Sequence, residues 1–237
     1  MGMLVDRIKS YAGDHWKAYV HHPWIDAMIR GDLSTERFRF FLVQDLPYLA
    51  DFARVYFMAF AKLKPGELRV FRPFLQLLAG YDEGKWEEEL LRDIGCTDYS
   101  TERWAAFKAR EGYMNHLVRM AHEGTGLETL VAMLPCSMGF AELGERCHGL
   151  DLSKHPAPYQ RWLGLYSRPF QRQQVNALVD GLEFCAAQAS EAELAALERI
   201  FLRSIQHQVH VFDAAWRLED PWPGPGSYEW PSVGVAR

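Results

Sequence analysis

No stretch of this chain alternates apolar and polar residues with a period of two between hairpin-type turns, which excludes a sheet-built fold. No apolar run approaches the ~18 residues needed to cross a bilayer, so no membrane partner is expected. The four cysteines (Cys96, Cys136, Cys147, Cys185) form no C-x-x-C pair, which removes the usual zinc and dithiol spacings. Residues 1–6 lead straight into a charged amphipathic stretch, so no leader is expected and the thiols are expected to be reduced, in the cytoplasm. Basic residues form neither stripe nor run, and the net charge is −5, so nucleic acid is not an expected partner. Repeats, low-complexity segments and linker-like shifts in composition are also missing. A single domain over residues 1–220 is therefore expected, long enough to bury a core and leave a pocket, with a Pro/Gly-rich tail at 221–237.

Helical periodicity is present nearly everywhere. Leu4, Ile8, Tyr11, His15 and Tyr19 recur at spacings of three and four, and Trp24, Ile25, Met28 and Ile29 do so after His22-Pro23. Residues 34–63 predict one long helix with a strongly aromatic buried side (Phe38, Phe41, Tyr48, Phe52, Tyr56, Phe60), bent at Pro47. Further helices are expected over 65–80, 81–94, 101–122, 126–146, 158–166 and 169–188. The run Glu87-Glu88-Glu89 reads as a solvated face of its helix. Ser190-x-x-Glu193 is a capping box opening a last long helix to about residue 218. The expectation is an all-α bundle of about eight to ten helices.

Two local features carry chemistry. Leu134-Pro135-Cys136 places a thiol one residue after a proline inside a helical pattern, where the bend can aim a nucleophile at a cavity. A buried structural thiol is the competing reading. Asp45 sits in the aromatic helix, two residues before Pro47. A carboxylate there is costly unless it is solvated, paired with an arginine or facing a ligand.

An ordered series of segments carries a resemblance. His22-Pro23-Trp24 with Gly31-Asp32-Leu33 comes first, then Phe40-Phe41-Leu42-Val43-Gln44-Asp45-Leu46-Pro47-Tyr48-Leu49. Leu134-Pro135-Cys136 with Glu142-Leu143-Gly144 follows, then Tyr159-x-x-Trp162-x-x-x-Tyr166-Ser167, and last Phe212-Asp213 with Trp216. Together they resemble the TenA/thiaminase II family of thiamin-salvage hydrolases, which have a heme-oxygenase-like helical bundle. The resemblance implies hydrolysis of an aminopyrimidine, with a primary amine or the thiazolium of thiamin leaving the exocyclic methylene and hydroxymethylpyrimidine as product. It implies no cofactor, a small-molecule pyrimidine substrate, and a homo-oligomer, dimer or tetramer.

Carried over residue by residue, the resemblance makes Cys136 the nucleophile and Asp45 the group that binds the amino group and ring nitrogen of the pyrimidine. It places Tyr48, Tyr113 and Tyr166 in the pocket. Phe140 stands where the family often has Tyr: the ring can still stack on a heterocycle, but the phenol is lost. Gln208, five residues before Asp213, stands where the family has a Glu acting as general acid and base; Gln cannot exchange a proton near neutral pH. Glu142 matches a family Glu with a hydrogen-bonding role. The departures at Gln208 and Phe140 keep a second reading open, a non-catalytic or divergent pyrimidine- or thiamin-binding member. A third, a metal-dependent oxidase on the same fold, would need ligands such as His207, His210 and Asp213, which share one helix face at i, i+3 and i+6. Heme oxygenase fits less well: no Gly-rich distal helix is evident, and the early candidate ligands are His15, His21 and His22.

Overall fold

The computed structural model describes residues 3–80, 83–102, 105–219 and 222. Among them the chain forms only helices and connections: α1 Met3–Ala12, α2 Asp14–Val20, α3 Pro23–Arg30, α4 Thr35–Ala61, α5 Pro65–Val70, α6 Arg72–Leu78, α7 Glu83–Asp93, α8 Lys108–Glu123, α9 Gly126–Arg146, α10 Ala157–Tyr166, α11 Pro169–Ala186 and α12 Glu191–Arg217. Helices α4, α8, α9 and α12 pack on one another at the centre. The three N-terminal helices lie along α12, α7 lies on α4, α10 on α9, and α11 between α9 and the pair α5–α6. None of the described helices is long and apolar enough to cross a membrane.

The all-α expectation stands, with the breaks placed by identifiable residues. The first periodic run divides at Gly13, whose φ of 51° lies in the left-handed region that glycine enters without a Cβ penalty. The run 65–80 divides at Phe71 because Pro73 has no N–H for the carbonyl one turn back. The expected helix start at 101 is too early, since α8 begins only at Lys108. The side-chain amide of Gln44 supplies the reason: its Nε2 donates to Ala105 O at 3.3 Å, and its Oε1 accepts from Phe107 N at 2.6 Å. Those backbone groups are thus satisfied without a helix. Counted as runs among the described residues, with these two divisions ignored, the helices number ten. The Pro/Gly-rich tail lies outside the described residues apart from Trp222, whose Nε1 donates to Ala106 O at 3.1 Å.

Both internal prolines are absorbed. Helix α4 stays helical through Pro47, and α9 through Pro135. From Phe38 to Tyr48 every residue of α4 is buried, so this half is covered on all sides, as a helix at the middle of a bundle must be. Phe41 stacks on Phe212 of α12, with centroids 5.3 Å apart and planes 8° apart, and Trp24 and Trp162 close over the pair. Helix α12 starts at the expected box: Ser190 N donates to Glu193 Oε2 at 2.7 Å, and Glu193 N donates to Ser190 Oγ at 3.3 Å.

Gly144 lets α9 touch the end of α10. A Cβ there would fall on the carbonyl oxygen of Tyr166, far inside contact distance. Gly144→Ala is expected to destabilise the protein by about 1–3 kcal/mol through overpacking. A loss of less than a few tenths of a kcal/mol in urea unfolding would show that this junction gives way freely.

Candidate functional site

A cavity of about 560 Å³ opens between α4, α7, α9, α10 and α11. Helix α4 contributes Asp45, Tyr48, Phe52 and Tyr56, residues three and four apart and so on one stripe. Helix α9 contributes Cys136, Ser137 and Phe140, and α10 contributes Tyr166 at its last turn. The walls are largely aromatic. Phe140 packs on Tyr166 with ring centroids 4.6 Å apart, and Tyr48 on Phe52 at 5.0 Å. Such a box suits a flat heterocycle.

Five of the seven residues singled out from the sequence (Cys136, Asp45, Tyr48, Phe140 and Tyr166) line this cavity. Tyr113 and Gln208 stand one layer behind. The Tyr113 ring stacks on Tyr48 at 5.4 Å, and Gln208, 2% exposed, donates from Nε2 to the Tyr113 hydroxyl at 3.3 Å. Gln208 therefore addresses the cavity through two tyrosines. The Tyr48 hydroxyl is buried beside the Cys136 thiol and the Tyr113 hydroxyl, on the wall of the cavity.

Burial pushes the Cys136 thiol up to about 12; the nearby Asp45 and Glu83 carboxyls add to this, and Tyr48 and Arg110 oppose it. The resting group is thus a thiol, not a thiolate. Asp45 is paired with Arg110, Oδ1 to Nη2 at 2.6 Å, with both side chains buried. The Arg110 guanidinium also lies over the Tyr48 ring, 4.7 Å from its centroid. Asp45 consequently satisfies two of the readings open at the sequence level: it is arginine-paired, and it faces the cavity.

Glu87 corrects the sequence reading. The acidic run was expected to be solvated, but Glu87 is 0% exposed. It lies three and four residues before Leu90 and Leu91, which are fully buried, and therefore shares their face. That spacing was the available signal. Burial, then the charges of Asp45 and Glu83, pushes its carboxyl well up; burial also raises Asp45, against the pull of Arg110. One guanidinium faces two buried carboxyls, so burial raises both and Arg110 holds Asp45 back. Glu83, also unremarked in the sequence, lines the cavity and accepts the Tyr166 O–H at 2.7 Å.

The remaining candidates point elsewhere. His207 stacks on His116 at 4.9 Å and on Tyr113 at 5.9 Å, whereas Asp213 faces His22 and Arg217. Among the described residues no three His, Cys, Asp or Glu side chains converge as metal ligands would. Glu142 accepts from Trp16 Nε1 at 3.0 Å, outside the cavity.

A model of the TENA/THI-4/PQQC family matches residues 11–218. The chain belongs to this family. It is 28% identical over 238 residues to an aminopyrimidine aminohydrolase of Bacillus subtilis, with 98% of this chain and 97% of that protein covered. It is also 28% identical over 204 residues to an aminopyrimidine aminohydrolase of Halalkalibacterium halodurans, covering 85% and 90%. The fold matches a TenA homologue from Pyrococcus furiosus with a TM-score of 0.78 at 18% identity, over 90% of this chain and 100% of that one. The bundle is the heme-oxygenase-like one of the TenA proteins.

Two outcomes follow from this TenA-family site. Arg110→Ala leaves Asp45 as an uncompensated buried carboxylate and is expected to cost about 3 kcal/mol in urea unfolding; a change below about 1 kcal/mol would mean the pair is dispensable. Burial, aided by Arg203 and neighbouring cations, pushes His116 and His207 down to about 4, so protons bind the unfolded chain more readily. Their contribution is complete above the ordinary histidine value of ~6.5 and is lost as pH falls toward 4. Comparing wild type with His116→Asn across that range should show a flatter acid decline in the variant; parallel curves would contradict the assignment.

Proposed function

We propose that this protein hydrolyses 4-amino-5-aminomethyl-2-methylpyrimidine or thiamin to hydroxymethylpyrimidine, with Cys136 as the nucleophile. The observation that carries the reading is a thiol and an arginine-paired carboxylate facing one aromatic-walled cavity. The B. subtilis and H. halodurans relatives named for this activity support it.

In this reading the ring lies flat between aromatic faces, and Asp45 accepts a hydrogen bond from the exocyclic amino group. Burial holds the thiol protonated, so its proton must pass to the ring nitrogen as sulfur, gaining thiolate character, bonds to the electron-poor carbon. The electron pair then expels the amine from the methylene, water adds there with loss of a proton, and the C–S bond breaks as sulfur takes its proton back from the ring nitrogen and the ring regains aromaticity. The Tyr48 hydroxyl, beside the thiol on the same wall, is placed to orient the ring by a hydrogen bond.

A binding-only role is the second reading, motivated by Gln208, which cannot exchange protons. Wild type and Cys136→Ala, each incubated with either substrate and followed by mass spectrometry, separate the two. The expected outcome is product from wild type and a loss of at least about 10³ in rate in the variant. Tight binding without product from wild type would establish the binding role instead.

A further inference from the structure

The departure at Gln208 raises a chemical question: which group takes the proton of the water that replaces the amine? Gln208 lies behind Tyr113 and is not titratable. The titratable groups lining the cavity are Asp45, Cys136, Glu83, Lys85 and Glu88 with the phenols of Tyr48, Tyr56 and Tyr166, and of these the carboxyls are the groups suited to accept a proton from water. Asp45 is committed to Arg110, and the Cys136 proton is consumed in the addition. Glu88 and Glu83 remain, both on α7. Only Glu83 is held to a wall residue of the box, through the Tyr166 hydroxyl at 2.7 Å, with Tyr166 in turn packed on Phe140 one turn from Cys136. That hydrogen bond fixes a carboxyl group at the rim of the aromatic box that Cys136 also lines.

We propose that Glu83 is the acid–base residue of this chain, holding the leaving ammonium group and then accepting the proton of the incoming water. The proposal rests on the hydrolase reading above. The substrate enters with its aminomethyl group as an ammonium, which the Glu83 carboxylate attracts. The C–N bond breaks with its electron pair going to nitrogen, and neutral amine departs. Water oxygen bonds to the methylene carbon as its proton passes to Glu83. The released amine takes that proton back, leaving alcohol, ammonium ion and a carboxylate ready for the next turn. No other reactant is needed. Protein-borne proton exchange has thus moved from α12 to α7.

The test uses the full chain with 4-amino-5-aminomethyl-2-methylpyrimidine. Glu83→Gln still accepts the Tyr166 hydroxyl, so the fold should survive. Its kcat is expected to fall by about 10² to 10⁴, and the acid limb of the kcat–pH profile should disappear. Affinity for hydroxymethylpyrimidine, which carries no ammonium, should stay within about threefold. Glu83→Ala should regain at least about tenfold in rate with added formate, which a packing defect would not. Either of two results overturns the proposal: Glu83→Gln turning over within about threefold of wild type, or a slow Glu83→Gln whose pH profile is unchanged with Glu83→Ala unresponsive to formate. In both cases wild-type product that still requires Cys136 leaves the hydrolase reading standing. Absence of product from wild type itself would sink that reading, and the role of Glu83 with it.

Discussion

Much of the site depends on the buried pair of Asp45 and Arg110. A carboxylate placed in the wholly buried half of α4 would otherwise protonate or unfold its surroundings. The guanidinium that compensates it comes from α8, and its flat face also covers the Tyr48 ring. Glu87, whose carboxyl the Asp45 charge pushes up, comes from α7. Three helices distant in sequence are thereby set against one another at the cavity. Well-packed apolar residues would serve stability as well, so the charges are better understood through the oxygen they leave facing the cavity.

Around that polar centre the walls do two jobs at once. Tyr48, Phe52, Phe140 and Tyr166 are core aromatics by burial and packing, yet they leave a slot between them. Gly144 permits the close approach of α9 and α10 that brings Tyr166 to the rim. Site geometry and core packing are consequently the same set of contacts, and substitutions that relax the packing also move the chemistry.

The thiol is not preactivated. Buried and pushed up to about 12, Cys136 differs from thiols poised as free thiolates at helix N-termini or beside cations. Gln208, Tyr113 and Tyr48 form a neutral relay of hydroxyl and amide groups behind it, able to orient but not to titrate near neutral pH. Acid–base capacity at this cavity is concentrated in the carboxyl groups of α4 and α7.

The periodicity of three and four, the capping box at Ser190 and the absence of alternation were enough to define an all-α bundle, because helices are built from local contacts that sequence spacing records. Family membership was legible in the ordered segments from His22 to Trp216, and with it the candidates Cys136, Asp45, Tyr48, Phe140 and Tyr166. Gly13, Pro73 and the bridging amide of Gln44 decided where helices broke; the last acts across sixty-odd residues and leaves no local trace. Glu87 looked like part of a solvated acidic run because charge dominates a short window, although its register with Leu90 and Leu91 placed it inward. Only the packing of α4 against α7 and α8 could show that Arg110 pairs with Asp45, that Glu83 reaches Tyr166, and that Gln208 stands behind a tyrosine. Those are long-range choices of partner. The sequence by itself determined which side chains each helix would bury and which family's chemistry they could carry; the tertiary structure decided which charges meet, because a buried charge is tolerated only where a specific distant neighbour completes it.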